Sequence, residues 1–151
     1  MTVTFFGHAD TPYAVEPLLE EVLRDLIEHH GATQFYIGDK GNFDHMVRKQ
    51  LRSLSQEYPH IRYAVVLAYL PGKKQEFDYE DRSDTVFPEG LENAHPRYAI
   101  SARNRWMVEQ ADMVVAYVNR QIGGATQFTN AALKKGKQLL NLAPLSTAVK
   151  V

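Results

Sequence analysis

The chain contains no cysteine. That excludes disulfides, thiolate-ligated zinc, iron–sulfur clusters and a thiol nucleophile. An excess of either charge is also missing, with 17 Lys+Arg against 18 Asp+Glu and a formal net charge of −1. Proteins that grip nucleic acid by neutralising phosphates carry a basic excess, so the balance argues against nucleic acid as the partner. No apolar run approaches the roughly 18 residues of a membrane span. The opening Met1-Thr2-Val3-Thr4-Phe5-Phe6-Gly7 lacks the basic and long apolar regions of a secretory signal. These absences predict a cytoplasmic protein with no membrane partner. The first apolar run is not followed by Gly-x-Gly-x-x-Gly, and no Walker A pattern occurs, which argues against ATPase or kinase chemistry. The six histidines show no zinc-ligand spacing, so no metal is expected.

What is present is the composition of a folded domain: 151 residues, 44% hydrophobic and 23% charged. We read residues 1–151 as one domain. Val3 to Phe6 is a short apolar run ended by Gly7. A helix follows, with Pro17 in its first turn, an apolar stripe through Leu18, Leu19, Val22, Leu23, Leu26 and Ile27, and Gly31 beyond its end. Phe35 to Ile37 reads as a second strand, and Phe43, Met46, Val47, Leu51 and Leu54 mark a second helix. The unbroken run Tyr63 to Leu70 suits a central parallel strand. The spacing predicts a third helix from Pro96 to about Ala111, a strand from Met113 to Val118, a fourth helix ending near Lys135, a last strand from Gln138 to Leu142, and a short tail. Between them lies an aperiodic acidic loop insertion at about 73–95. From Glu76 to Glu92 it carries seven acids and one base, a net of −6, which leaves +5 on the rest of the chain. A loop of that length has a role or is mobile.

The alternation β-α-β-α-β-loop-α-β-α-β predicts an α/β protein: a Rossmann-like three-layer α/β/α fold with a five-stranded parallel sheet in the order 3-2-1-4-5. Such sheets bind ligands at the carboxyl ends of their strands, beside the switch point between strands one and four. That rule selects the segments 7–11, 38–44, the region after Leu70, and 119–126.

Three of these segments carry glycine at a strand-to-helix junction: Gly7, the pair Gly38 and Gly41, and the pair Gly123 and Gly124. Backbone N–H groups at such junctions can approach an anion, and a helix N-terminus behind them favours phosphate. Arg103 lies inside the third helix and has the fork geometry for phosphate or carboxylate. Asn104 beside it can order a ribose or a base. His8 is a candidate acid–base group or phosphate donor. Lys40 adds a cation to the second loop, and Thr126 a hydroxyl to the last. The carboxylates that could serve catalysis are Asp10, Asp39 and Asp44, with Glu109 behind them. Asp39 also belongs to the candidate phosphate loop, and Asp44 has an equally good bland role in the first turn of the second helix. Asp112 reads as structural, Arg105 as solvated, and Trp106 as packing.

Together, Phe-Phe-Gly-His at 5–8, Gly-Asp-Lys-Gly-Asn-Phe-Asp at 38–44, Ala-Arg-Asn-Arg-Trp-Met-Val-Glu-Gln-Ala-Asp-Met-Val-Val-Ala-Tyr at 102–117 and Gly-Gly-Ala-Thr at 123–126 resemble the SLOG superfamily. That group is named for the Smf/DNA-processing protein A proteins and the Lonely Guy phosphoribohydrolases. The resemblance runs over nearly the whole chain and is closest to small stand-alone bacterial or phage members. It implies a Rossmann-like fold that binds a nucleotide or a nucleotide-derived, phosphoribosyl-type ligand, with no separate cofactor, and it implies a homo-oligomer. Lonely Guy enzymes cleave the N-glycosidic bond of nucleoside monophosphates and carry Pro-Gly-Gly-x-Gly-Thr-x-x-Glu. Here Gly123, Gly124 and Thr126 match in kind, Ile122 replaces the proline, and Thr129 stands where the glutamate belongs. The segment through Asn104 and Ala111-Asp112 is more distantly similar to nucleoside 2-deoxyribosyltransferases, whose Glu nucleophile has no assigned counterpart in this chain. The expectation is therefore a nucleotide-binding protein. An N-glycosidase or deoxyribosyltransferase-like enzyme is the alternative, and a single-stranded nucleic-acid module comes third.

Overall fold

The structure is a computed structural model that describes residues 1–70 and 83–149, with the backbone alone for 146–149. The strands are β1 (Thr2–Gly7), β2 (Gln34–Ile37), β3 (Arg62–Val66), β4 (Thr85–Val86), β5 (Met113–Tyr117) and β6 (Gln138–Asn141). The α-helices are α1 (Glu16–His29), α2 (Gly41–Glu57), α3 (Ala99–Gln110), α4 (Gly124–Lys134) and α5 (Leu142–Val149). All strand pairs are parallel, and the sheet order is β4-β3-β2-β1-β5-β6.

Among the described residues the sheet therefore has six strands rather than the five expected in the order 3-2-1-4-5. The added strand is Thr85–Val86, within the acidic segment, which pairs with Val65 and Val66 of β3. A two-residue strand is too short to show alternation, so no periodicity announces it. The run from Tyr63 to Leu70 is also shorter as a strand than its hydropathy suggests. Leu67 and Ala68 are buried past the end of β3, where the Leu67 N–H donates to the Val86 carbonyl. Residues 73–82 of the acidic loop lie outside the described residues. The helix expected from Pro96 opens as a single 3-10 turn, Pro96–Tyr98, before α3 proper, and the expected tail is the helix α5.

Side chains alternate across the sheet as pleating demands. Val3 and Phe5 of β1, Phe35 and Ile37 of β2, and Met113 and Val115 of β5 face one layer. There they pack on Leu19, Leu23 and Leu26 of α1, on Phe43, Met46 and Val47 of α2, and on Leu142 of α5. Phe6, Val66, Val114 and Ala116 face the other layer, where Met107 and Val108 of α3 and Phe128 and Ala132 of α4 cover them. Polar groups along the central strands are paired. The Thr4 hydroxyl donates to the Tyr36 carbonyl at 2.8 Å, and the Thr2 N–H donates to Asp112 Oδ2 at 2.8 Å. Asp112 thus holds the start of β1 to the start of β5, the structural role its sequence position suggested.

No α-helix among the described residues is long and apolar enough to cross a membrane.

The added strand is anchored by charge. Arg48 of α2 places Nε 2.9 Å from Asp84 Oδ2 and donates from Nη2 to Oδ1 at 3.1 Å, and the Tyr63 hydroxyl donates to Oδ2 at 2.9 Å. Burial, reinforced by the Asp84 carboxylate, pushes the Tyr63 phenol up to about 12, so it stays a donor. Both charged side chains are about nine-tenths buried, which makes loss of either partner costly. Asp84→Ala is expected to lower the unfolding free energy by about 3 kcal/mol, against about 1 kcal/mol for Tyr63→Phe. Urea denaturation of the two variants checks this, and equal losses would contradict the anchoring role.

Candidate functional site

At the carboxyl edge, three loops and one helix enclose a cleft of about 170 Å³. Gly7 and Ala9 come from the loop after β1, Lys40 and Asp44 from the start of α2, Arg103 and Asn104 from α3, and Gly124 and Ala125 from the start of α4. Six of the residues singled out in the sequence therefore share one cavity: Gly7, Lys40, Asp44, Arg103, Asn104 and Gly124.

Arg103 is the central cation and is only 2% exposed. Its position follows from helical spacing, since Ala99, Arg103 and Met107 form one buried stripe on α3. Nε donates to Asn104 Oδ1 at 2.8 Å, and Nη1 donates to Asp39 Oδ1 at 3.1 Å and to the Val66 carbonyl at 2.9 Å. The other terminal nitrogen, Nη2, donates to no described residue. Asp39, also 2% exposed, is the counter-ion of Arg103 and does not line the cleft. Asn104 orients the guanidinium through its oxygen, while its amide nitrogen has no described acceptor.

Two of the glycines serve close packing rather than ligand access. A Cβ on Gly7 would lie 2.2 Å from Phe43 Cγ, so the side chain of α2 occupies that space. A Cβ on Gly38 would lie 2.6 Å from Asp44 Oδ2 and 3.0 Å from Arg103 Nη1, wedging apart two side chains of the site. Gly41 adopts a positive φ where the second loop crosses the backbone of Ala9. The last pair differs. Gly123 has φ of 121° and caps α4, and a Cβ on Gly124 would meet nothing within 4 Å. The first backbone bond of that turn is Gln127 N–H to the Gly123 carbonyl, so the N–H groups of Gly124, Ala125 and Thr126 have no described acceptor. The Thr126 hydroxyl donates to the Arg120 carbonyl at 2.8 Å, which closes the loop.

Asp44 lies in the first turn of α2, and its Oδ2 accepts the Lys40 N–H at 3.1 Å, capping the helix from within. It is the one expected catalytic carboxylate that lines the cleft. Asp10 is exposed and paired with Arg120, whose Nη2 lies 2.7 Å from both carboxylate oxygens. The Arg120 guanidinium holds the Asp10 carboxyl below its usual range. Glu109 is exposed near the far end of α3, 3.8 Å from Lys135 Nζ. That is the opposite edge of the sheet, because α3 runs back from the carboxyl ends of the strands. Arg105 is exposed, and Trp106 packs edge-on against Tyr36 with ring centroids 4.9 Å apart. Among the described residues no group of three or more His, Asp or Glu side chains could hold a metal ion.

His8 is 6% exposed, and its Nε2 accepts the Asn119 N–H at 3.1 Å, which requires an unprotonated ring nitrogen. His8 thereby ties the first loop to the loop after β5, as the Asp10–Arg120 pair does at the surface. Sequence reasoning did not single out Arg120, Asn119 or Ile100, which also lines the cleft. The available signal for Arg120 was a cation in a loop already selected by strand position.

No protein-family model matches the chain, and no curated protein matches it.

Burial lowers the His8 pKa below 6.5, and the Arg120 charge adds to the effect against the opposing Asp10 carboxylate. An unfolded chain takes up this proton before the folded one does. Folding stability should be undiminished by His8 above about pH 6.5 and should fall as pH drops below it toward the depressed folded value. His8→Gln keeps an acceptor but removes the titration. Denaturation midpoints at several pH values should then decline less steeply for this variant than for the wild type. Identical slopes would contradict this account.

Proposed function

We propose that the cleft at the carboxyl edge holds the phosphate of a nucleotide or other phosphoribosyl-type ligand, as the SLOG resemblance implies. The observation that carries this reading is the convergence on one cavity of a nearly buried Arg103 with a spare Nη2 and the unpaired N–H groups at the start of α4. Each alone is ordinary. Together they place N–H donors in the lining of one small volume, with the helix dipole adding positive potential. Lys40 supplies a further charge and the Asn104 amide a further donor. Asp39 offsets one positive charge and Asp44 another, so net charge is low in the cleft. Anion recognition there rests on fixed N–H donors rather than on bulk attraction.

Gly124→Asp separates binding from folding. A carboxylate in the first turn of α4 suits the helix dipole by about 0.3–1 kcal/mol, yet it fills the anion's place with like charge. Wild-type protein at a hundredfold excess over the dissociation constant should gain about 2.7 kcal/mol from ribose 5-phosphate, a rise in thermal midpoint of about 5–10 °C. Gly124→Asp should fold with an unchanged or higher midpoint and lose that response. A response that survives in the variant, or none in the wild type, overturns the phosphate reading.

A second reading, N-glycosidase action on a nucleoside monophosphate, is favoured by one observation: a carboxylate, Asp44, lines the same cleft. It would stabilise an oxocarbenium-like centre at the sugar. If the chain releases free base, Asp44→Asn should slow release at least about a hundredfold while keeping the Lys40 cap through its amide oxygen. Release at the wild-type rate would remove Asp44 from any catalytic role.

A further inference from the structure

The anion cleft contains a carboxylate, a group that repels a bare anion. Asp44 is only 8% exposed and lines the same cleft of about 170 Å³ as Lys40 and Arg103. Its Oδ2 accepts the Lys40 N–H at 3.1 Å, which fixes the carboxylate at the start of α2. The carboxylate also stands close to the guanidinium. One point over Gly38, where a Cβ would sit, is 2.6 Å from Asp44 Oδ2 and 3.0 Å from Arg103 Nη1. In so small a space, a phosphate-sized group that meets Arg103 also meets Asp44. An ionised carboxylate accepts hydrogen bonds and donates none. It opposes an oxyanion without a proton and accepts from one that carries a proton.

We infer that Asp44 selects oxyanions that retain a proton, so that the cleft takes phosphate and its monoesters and excludes sulfate. This inference rests on the phosphate reading. The two anions share a tetrahedral shape and a similar size, and every N–H donor of the cleft would serve both. They differ in protonation. A phosphate monoester loses its last proton only near about pH 6, whereas sulfate holds none in the neutral range. In the bound state the P–OH donates to Asp44, and the unprotonated oxygens accept from Arg103 Nη2 and from the N–H groups at the start of α4. The charged groups that share the cleft with Asp44 are Lys40 and Arg103, and Asp39 is the counter-ion of Arg103. The loop after β1 contributes Gly7 and Ala9, and the first turn of α4 contains no acid. Within α2, His45 is exposed and Arg48 is paired with Asp84. His8 lies outside the lining and accepts the Asn119 N–H. Asp44 is therefore the one carboxylate in the described lining that can oppose the anion's charge.

The test is calorimetry of the wild type and Asp44→Asn with ribose 5-phosphate, inorganic phosphate and sulfate, from about pH 5.5 to about pH 8. The wild type should bind sulfate at least about a hundredfold more weakly than inorganic phosphate, since like charges would meet without a proton between them. Above about pH 6 a free monoester is mainly the dianion. Binding then takes up a proton, so wild-type affinity for ribose 5-phosphate should fall as pH rises, toward about tenfold per unit. Asp44→Asn keeps an acceptor for the Lys40 N–H and removes the charge. It should bring sulfate to within about threefold of phosphate and flatten the pH profile. His8 is common to both proteins, so the difference between their profiles belongs to Asp44. Circular dichroism verifies folding of the variant, and the wild-type selectivity and pH profile test the inference without it. Wild-type sulfate binding within about threefold of phosphate, or a flat wild-type profile, overturns the inference and leaves the phosphate reading standing. Selectivity that survives in folded Asp44→Asn also overturns it. Failure of both phosphate ligands to bind the wild type removes both readings.

Discussion

The buried ion pair between Asp39 and Arg103 is the constraint on which the carboxyl edge depends. Both side chains are almost wholly out of water, and a single charge left in that position costs several kcal/mol. The pair therefore holds only if α3 is seated with its second turn over the ends of β2 and β3, where the Val66 carbonyl takes a further hydrogen bond. Gly38 follows from the same requirement, because a side chain there would collide with Asp44 and Arg103. Once α3 is seated, its residues Ile100, Arg103 and Asn104 line the cleft. One electrostatic contact thus sets the shape of the whole edge.

The surrounding loops are knitted to each other rather than left to the ligand. Asn42 donates its N–H to the Ala9 carbonyl at 2.8 Å, His8 accepts from Asn119, and Asp10 pairs with Arg120. The second and third of these contacts join segments 110 or more residues apart in sequence. Their combined effect is to hold the donors around the cleft in fixed positions. The exposed Asp10–Arg120 pair contributes little to stability by itself. It spans the first loop and the loop leading into α4, where the unpaired N–H groups lie.

Much of this architecture was legible in the sequence, for identifiable reasons. Helices α1 and α2 carry apolar stripes of near-3.6 period, and β5 is an apolar run bounded by Asp112 and the loop after it, so hydropathy alone located them. Thr85–Val86 is too short to carry a period, and the Leu142–Val149 helix lacks a polar face to mark one. At the site, Lys40 and Gly124 stand at strand-to-helix junctions and Arg103 and Asn104 lie early in α3, and the fold brings these four residues to one cleft. The roles of Gly7 and Gly38 were hidden because Phe43, Asp44 and Arg103 meet them only in the folded chain. Asp39 looked like a ligand group because its partner lies 64 residues away. Glu109 was offered for its nearness to Arg103 in sequence, but six residues along a helix also carry a side chain about one and two-thirds turns toward the other edge of the sheet.

The disposition of carboxylates bears on whether such a site would hold its ligand or consume it. Glycoside cleavage through an oxocarbenium-like centre calls for a carboxylate at the sugar. The position where the Lonely Guy motif has glutamate is Thr129, 4% exposed with a hydroxyl that has no hydrogen-bond partner. A neutral hydroxyl sealed in that way can neither carry the stabilising charge nor exchange protons with solvent. Asp39 is neutralised by Arg103, Asp10 by Arg120, and Glu109 lies at the far edge. Asp44 lines the cleft, and one of its oxygens accepts the N–H of Lys40. At this edge N–H donors outnumber carboxylates that line the cleft.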